Sequence, residues 1–221
     1  MRILLLGNSQ IVSFGNVPDL ITKLSRSAAP QCLLEAEVVA IGGASIEQLW
    51  TDGRPIAAIR GGGWDWVLCH ELVYSYGGNG DRLREFGRRF HREAQSVGAR
   101  MLFYASGDVE GQRGTHEPMY RDAAELAREC GGRVAGGGSA WLRAWREQPD
   151  LDFHCPDRAH AGHRGYYLNA CVIFAALTNR SPIGLDPCTV SAPEASFLQR
   201  IAWDQYHEDR RSERAVAMGG T

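Results

Sequence analysis

Ile3-Leu4-Leu5-Leu6-Gly7-Asn8-Ser9-Gln10 decides how the rest of this chain reads. Four consecutive apolar residues, Ile3 to Leu6, have the length and composition of a strand buried on both faces, as in a parallel sheet covered by helices. Gly7 and Asn8 then break the run with a sharp turn. Ser9 therefore stands where a buried strand gives way to a loop or helix, at the carboxyl edge where open α/β sheets gather their ligands. Serine is also a common helix cap, so position alone allows a purely structural role.

Outward from this stretch, strand-like and helix-like patterns alternate. Val17, Leu20, Ile21 and Leu24 mark a helix over residues 17–28, with Pro18 suited to its first turn. Glu35 to Ile41 reads as a second strand ending at Gly42-Gly43, and Ser45 with Gln48 has the form of a capping box that starts a short helix. After a flexible Gly61-Gly62-Gly63 connection, Trp64 to Cys69 forms the third strand, with His70 and Glu71 at its carboxyl end. Turn chemistry at Gly77-Gly78-Asn79-Gly80 leads into a charged helix over 81–96. Ala99 to Tyr104 is the fourth strand, Pro118 to Cys130 a helix and Arg133 to Ala135 a fifth strand, after which Gly136-Gly137-Gly138 opens a helix over 139–146. A wide apolar stripe runs through Gly165 to Thr178, and a last helix spans Ala192 to Tyr206. This order predicts a three-layer α/β/α fold with a mostly parallel sheet of about five strands. One domain covers residues 1–207, and the charged stretch 208–221 reads as a flexible tail whose first residues, Glu208 to Arg214, fray.

Composition narrows the function classes. With 221 residues, 44% of them hydrophobic and 23% charged, the chain can bury an ordinary core. A net charge of −2 leaves no electrostatic footprint for nucleic acid. No stretch approaches the ~20 apolar residues of a membrane span, so membrane insertion and an export signal are not expected. The six cysteines form no CxxC pair and several sit in apolar runs, which implies reduced thiols and a cytoplasmic setting. There is no G-x-G-x-x-G after a strand and no Walker Lys-Ser/Thr pair, so no nucleotide cofactor is expected.

A neutral serine hydroxyl is a weak nucleophile: it needs a base to take its proton, and that base needs a partner to fix its tautomer. Asp157-Arg158-Ala159-His160 can supply both, since an aspartate three residues before a histidine can fold back onto Nδ1 and leave Nε2 free for Ser9. His154, Cys155, Asp157, His160 and His163 are also dense in zinc-type donors, but their spacing matches no strong zinc signature and no metal is expected. Trp64, Trp66, Tyr74 and Tyr76 are candidates for a pocket rim or for the core.

Leu6-Gly7-Asn8-Ser9 resembles the Gly-Asp-Ser block of the SGNH (GDSL-type) hydrolases, and Asp157-Arg158-Ala159-His160 with the following Gly165-to-Ala170 segment resembles their closing Asp-x-x-His block. The resemblance implies a flavodoxin-like fold and a cofactor-independent esterase or acylhydrolase acting on small molecules, carbohydrates or lipids. It assigns Ser9 as nucleophile, His160 as base and Asp157 as orienting acid. It also gives the backbone N–H groups of Ser9 and Gly43 to an oxyanion hole. Two departures stand out. Asn8 occupies the place of the usual aspartate, and the Gly-x-Asn-Asp block after the third strand is not recognisable, which leaves His70 and Asn79 as alternative third oxyanion donors. A second functional reading keeps the fold but makes the chain a binding module without catalysis.

Overall fold

The computed structural model describes residues 1–13, 15–28, 32–71, 80–108 and 114–214. Five strands, β1 (Arg2–Gly7), β2 (Glu35–Ala40), β3 (Trp66–His70), β4 (Arg100–Ala105) and β5 (Arg133–Gly136), form one sheet in the order β2-β1-β3-β4-β5. Every pairing is parallel, and Leu5 of β1 lies opposite Val38 on one side and Leu68 on the other. The described helices are α1 (Ser9–Val12), α2 (Val17–Ser27), α3 (Ile46–Asp52), α4 (Arg54–Arg60), α5 (Gly80–Ser96), α6 (Glu117–Glu129), α7 (Gly137–Glu147), α8 (His163–Thr178) and α9 (Ala192–Arg214).

Strand alternation sends each apolar run to two cores at once. Ile3, Leu5, Trp66, Leu68, Leu102 and Tyr104 pack beneath α2, α7, α8 and α9. Leu4, Leu6, Val67, Cys69, Met101 and Phe103 pack beneath α3, α5 and α6 on the opposite face. That double burial is why the strands read as continuous apolar runs rather than as alternating ones. The expected three-layer α/β/α architecture is therefore what the chain adopts. Helix α8 lies between α2 and α9 and is buried along almost its whole length, which matches the width of its apolar stripe. The order in which strands are added reverses between β1 and β3, so the crevice at their carboxyl ends is the topological switch point of the sheet. Ser9 emerges there.

Four details sharpen or depart from the sequence reading. Ser9 opens a one-turn helix directly after β1, and a further helix, α4, precedes the Gly61-Gly62-Gly63 turn. Trp64 and Trp66 are core residues at the amino end of β3, far from the carboxyl edge, whereas Tyr74, Tyr76 and Asn79 lie outside the described residues. The expected frayed segment 208–214 is instead the continuation of α9. Its charged residues pair with the edge strand: Glu213 accepts the Val134 N–H at 2.7 Å, Arg210 donates to the Val134 carbonyl at 2.9 Å, and Asp209 accepts the Gly136 N–H at 3.0 Å. The charge run that reads as a solvated tail is thus a cover over the free edge of β5. No described helix is long and apolar enough to cross a membrane.

Asp209 is fully buried and also accepts from Tyr120 Oη and Gln205 Nε2. Burial pushes its carboxyl up to about 6 from 3.8, an effect only partly opposed by these donors. A raised folded-state value means that the folded protein holds the proton more tightly, so this contribution to stability is full below pH 3.8 and is lost as pH climbs through about 6. Asp209→Asn has no proton to lose. Urea unfolding at several pH values is expected to show the stability of the wild type relative to this variant falling by up to about 3 kcal/mol across that window, and a pH-independent difference would refute the burial argument.

Candidate active site

The segment 152–162 folds back on itself under backbone control. Cys155 N–H donates to the His160 carbonyl at 2.9 Å, Gly162 N–H to the Phe153 carbonyl at 2.7 Å and Arg158 N–H to the Cys155 carbonyl at 2.9 Å. Arg158 takes a left-handed conformation, φ 58°, at the turn between Asp157 and His160. Within this turn Asp157 Oδ1 accepts the N–H groups of Ala159 and His160, each at 2.9 Å, and the Cys155 thiol at 2.8 Å. Oδ2 remains for His160 Nδ1, at 2.7 Å. The Cys155 thiol, the two backbone N–H groups and the His160 ring together hold the Asp157 carboxyl far below the usual carboxylate range.

His160 Nε2 lies 2.9 Å from Ser9 Oγ, so Asp157, His160 and Ser9 stand in hydrogen-bonded series although 151 positions separate the last two. Two further contacts clasp the halves together: Gln10 Nε2 donates to the Ala159 carbonyl at 3.1 Å, and Tyr166 Oη, from α8, donates to the Ser9 carbonyl at 3.2 Å. The His160 and Asp157 side chains keep 24% and 41% of their surface exposed, which leaves the series open to a ligand from solvent.

Asn8 organises the amino-terminal half. It is fully buried and caps α1, its Oδ1 accepting the Gln10 N–H at 3.0 Å, while its Nδ2 donates to the Ala44 carbonyl at 3.0 Å. One amide therefore ties the Ser9 turn to the 42–45 loop. An aspartate could make the first bond but has no proton for the second. The same loop is braced by the Ser45/Gln48 capping box and by buried Glu71, which accepts the Ile46 N–H at 3.2 Å and pairs with Arg82. Gly43 adopts φ 68°, left-handed backbone that favours glycine, and the space where a Cβ would project is open.

His70 closes β3 beneath this site. Its ring is fully buried, 5.2 Å from that of Tyr104, and neither ring nitrogen has a hydrogen-bond partner among the described residues. Burial pushes its imidazole down to about 3, so the ring is neutral. Of the five zinc-type donors noted in the sequence, Cys155, Asp157 and His160 have ligand atoms within 4.8 Å of one another, and their contacts are the hydrogen bonds just described. His154 instead donates Nε2–H to the Asp108 carbonyl at 2.9 Å. A second Ser-His-Asp array, which the sequence pattern did not reveal, occurs behind β4: Asp108 Oδ1 meets His116 Nδ1 at 2.8 Å, and His116 Nε2 lies 3.4 Å from Ser139 Oγ. Here both acid and imidazole are sealed in the core, and Asp108 also accepts the N–H groups of Gly114 and His116 and the Thr115 hydroxyl. No ligand atom can reach a ring so enclosed, and the array fastens the chain around residue 114 to α7.

No family model and no curated protein sequence matches this chain. Solved structures do, through the fold. A DUF4886 family protein from Bacteroides uniformis superposes with a TM-score of 0.72 at 17% identity, covering 92% of this chain and 93% of its own. A protein from Slackia heliotrinireducens assigned to the SGNH hydrolases gives 0.63 at 20% identity, covering 80% and 98%. A catalytic mutant of an acetylxylan esterase from Geobacillus stearothermophilus gives 0.60 at 15% identity, covering 84% and 94%. The chain thus shares its fold with SGNH hydrolases, the family its two end blocks resemble.

The Asn8 bridge makes a direct prediction. Asn8→Asp sets a buried carboxylate oxygen against the Ala44 carbonyl in place of a donor, which should cost about 2 kcal/mol or more of stability in denaturant unfolding. A variant as stable as the wild type would mean that the amide proton is not needed there.

Proposed function

We propose that the protein is a serine ester hydrolase, with Ser9 as nucleophile, His160 as general base and acid, and Asp157 as the group that orients the imidazole. The observation that carries this reading is the 2.9 Å contact between Ser9 Oγ and His160 Nε2, made while Nδ1 is held by Asp157 at 2.7 Å. Nucleophile–base and base–acid hydrogen bonds in this order are what acyl transfer through serine requires. The partly exposed series at the sheet's switch point favours catalysis over a pure binding role, since a decayed site has no reason to keep both bonds.

In this reading Ser9 Oγ attacks the ester carbonyl carbon as its proton passes to His160 Nε2. The Asp157 carboxylate stabilises the imidazolium that forms, and the developing oxyanion is met by the backbone N–H groups of Ser9, at the first turn of α1, and of Gly43. Collapse of the tetrahedral adduct breaks the ester bond; His160 returns its proton to the departing alkoxide, leaving an acyl group on Ser9. Water then gives a proton to His160 and attacks the acyl carbonyl, and a second collapse releases the acid and restores the Ser9 hydroxyl. No metal or organic cofactor enters any step. The substrate class is an acyl or acetyl ester of a small molecule or carbohydrate; the acetylxylan esterase of the same fold supports the carbohydrate choice. The six free cysteines accord with a reducing, cytoplasmic setting.

A fluorophosphonate probe tests the reading directly. Label should map to Ser9 and vanish in His160→Ala, and hydrolysis of a simple acetyl ester should fall by about 10³-fold or more in either Ser9→Ala or His160→Ala. Unlabelled Ser9 in a folded, active protein would reject it. The donors around Asp157 hold its carboxyl well below the usual range, so it faces His160 as a carboxylate.

The third oxyanion donor is the finer question. Full burial of the neutral His70 ring argues for Asn79 over His70. Asn79→Ala is expected to lower kcat by about 10²-fold with little change in KM, whereas His70→Ala should act on stability alone. The reverse pattern in kinetics and denaturant unfolding would assign the donor to His70.

A further inference from the structure

We propose that Cys155 is a positioning residue for catalysis, a fourth member of the hydrogen-bonded series whose thiol proton sets how strongly Asp157 supports His160. The inference rests on the catalytic reading above and goes beyond it, because neither the Ser9 block nor the Asp-x-x-His block contains this cysteine.

The geometry carries it. Cys155 Sγ donates to Asp157 Oδ1 at 2.8 Å, on the same carboxylate whose other oxygen meets His160 Nδ1 at 2.7 Å. The thiol is nearly sealed from solvent, with 5% of the residue exposed, so water does not stand in for it readily. Its own titration is pushed upward, chiefly by burial and then by the carboxylate it faces, so the sulfur keeps its proton and acts as a donor rather than as a second anion. Neighbouring titratable and charged groups already have other partners. Arg158 pairs with Asp152 at 2.8 Å, His154 donates to the Asp108 carbonyl, Arg164 pairs with Glu194, and Tyr166 donates to the Ser9 carbonyl.

A hydrogen bond to a carboxylate draws charge away from its oxygens, so each donor on Oδ1 lowers the basicity that Oδ2 presents to the imidazole. Two of the three donors on Oδ1 are backbone N–H groups and are fixed by the fold. The thiol is the side-chain donor of the set. Losing it concentrates negative charge on Asp157, strengthens the bond to Nδ1–H and makes the imidazolium easier to form. A base that protonates more readily loses activity at a higher pH.

Cys155→Ala and Cys155→Ser separate this effect from packing. The backbone bonds of the turn are independent of the side chain, so both variants should keep the loop, and serine retains a donor. In Cys155→Ala the acid limb of kcat/KM should move up by about half a pH unit, and the downfield Nδ1–H proton resonance shared by His160 and Asp157 should move further downfield. Cys155→Ser should restore both toward wild type. The proposal is overturned if both variants superpose on wild type in profile and resonance, or if both shift equally, which would make the sulfur a space-filler. The resonance is read without turnover. A protein whose Ser9 takes no fluorophosphonate, yet whose proton resonance responds as described, would therefore reject the esterase reading and leave the Cys155–Asp157 coupling standing.

Discussion

A single buried amide holds the site to the sheet. Asn8 is reached by the chain as it leaves β1, caps the turn that presents Ser9 through its Oδ1, and donates from Nδ2 to the carbonyl of Ala44 in the neighbouring loop. Because a buried donor left without its acceptor costs about 1–3 kcal/mol, neither segment can shift without penalty. The Ser9 turn and the loop that carries Gly43 are therefore held as one piece, and the other elements of the site are placed relative to it. The Asp157–His160 turn is joined to that piece by polar contacts, His160 to Ser9, Gln10 to Ala159 and Tyr166 to Ser9, while its flanking Phe153 and Ala161 share a core cluster with Ile11.

Much of this was legible in the chain because its strands are buried on both faces and its helices are amphipathic. Ile3 to Leu6 and Trp66 to Cys69 could hardly be anything but inner strands, and Ser9, Asp157 and His160 lie at the sequence positions where such a sheet presents its edge. What escaped was decided by partners remote in sequence. The charged side chains of residues 208–214 find their partners on the free edge of β5 some 76 positions earlier, which no local pattern names. Asn8 looked like a weakened aspartate; its donor role emerges only when Ala44 stands beside it. Cys155 looked like a zinc-type ligand or a small hydrophobe, and it is the carboxylate opposite that makes it a donor.

The two Ser-His-Asp arrays show how little residue type alone says about chemistry. Asp108, His116 and Ser139 reproduce the hydrogen-bond order of Asp157, His160 and Ser9, with a looser final contact of 3.4 Å against 2.9 Å. Access separates them. His116 is sealed in the core and its aspartate is saturated by neighbouring donors, whereas His160 sits at a crevice opened by the reversal of strand order between β1 and β3. Electrostatics makes a base usable only where a reacting group can reach it.

The distance in sequence between Ser9 and His160 has a temporal meaning as well. A ribosome adds about 5–20 residues each second, so Ser9 waits roughly 8 to 30 s for His160 to be made, and longer for α9 to close over the edge of β5. Through that interval the Ser9 hydroxyl has no imidazole beside it. Until the segment around His160 has been made and docked, no imidazole stands beside the Ser9 hydroxyl, and no shorter nascent fragment contains the whole hydrogen-bonded series.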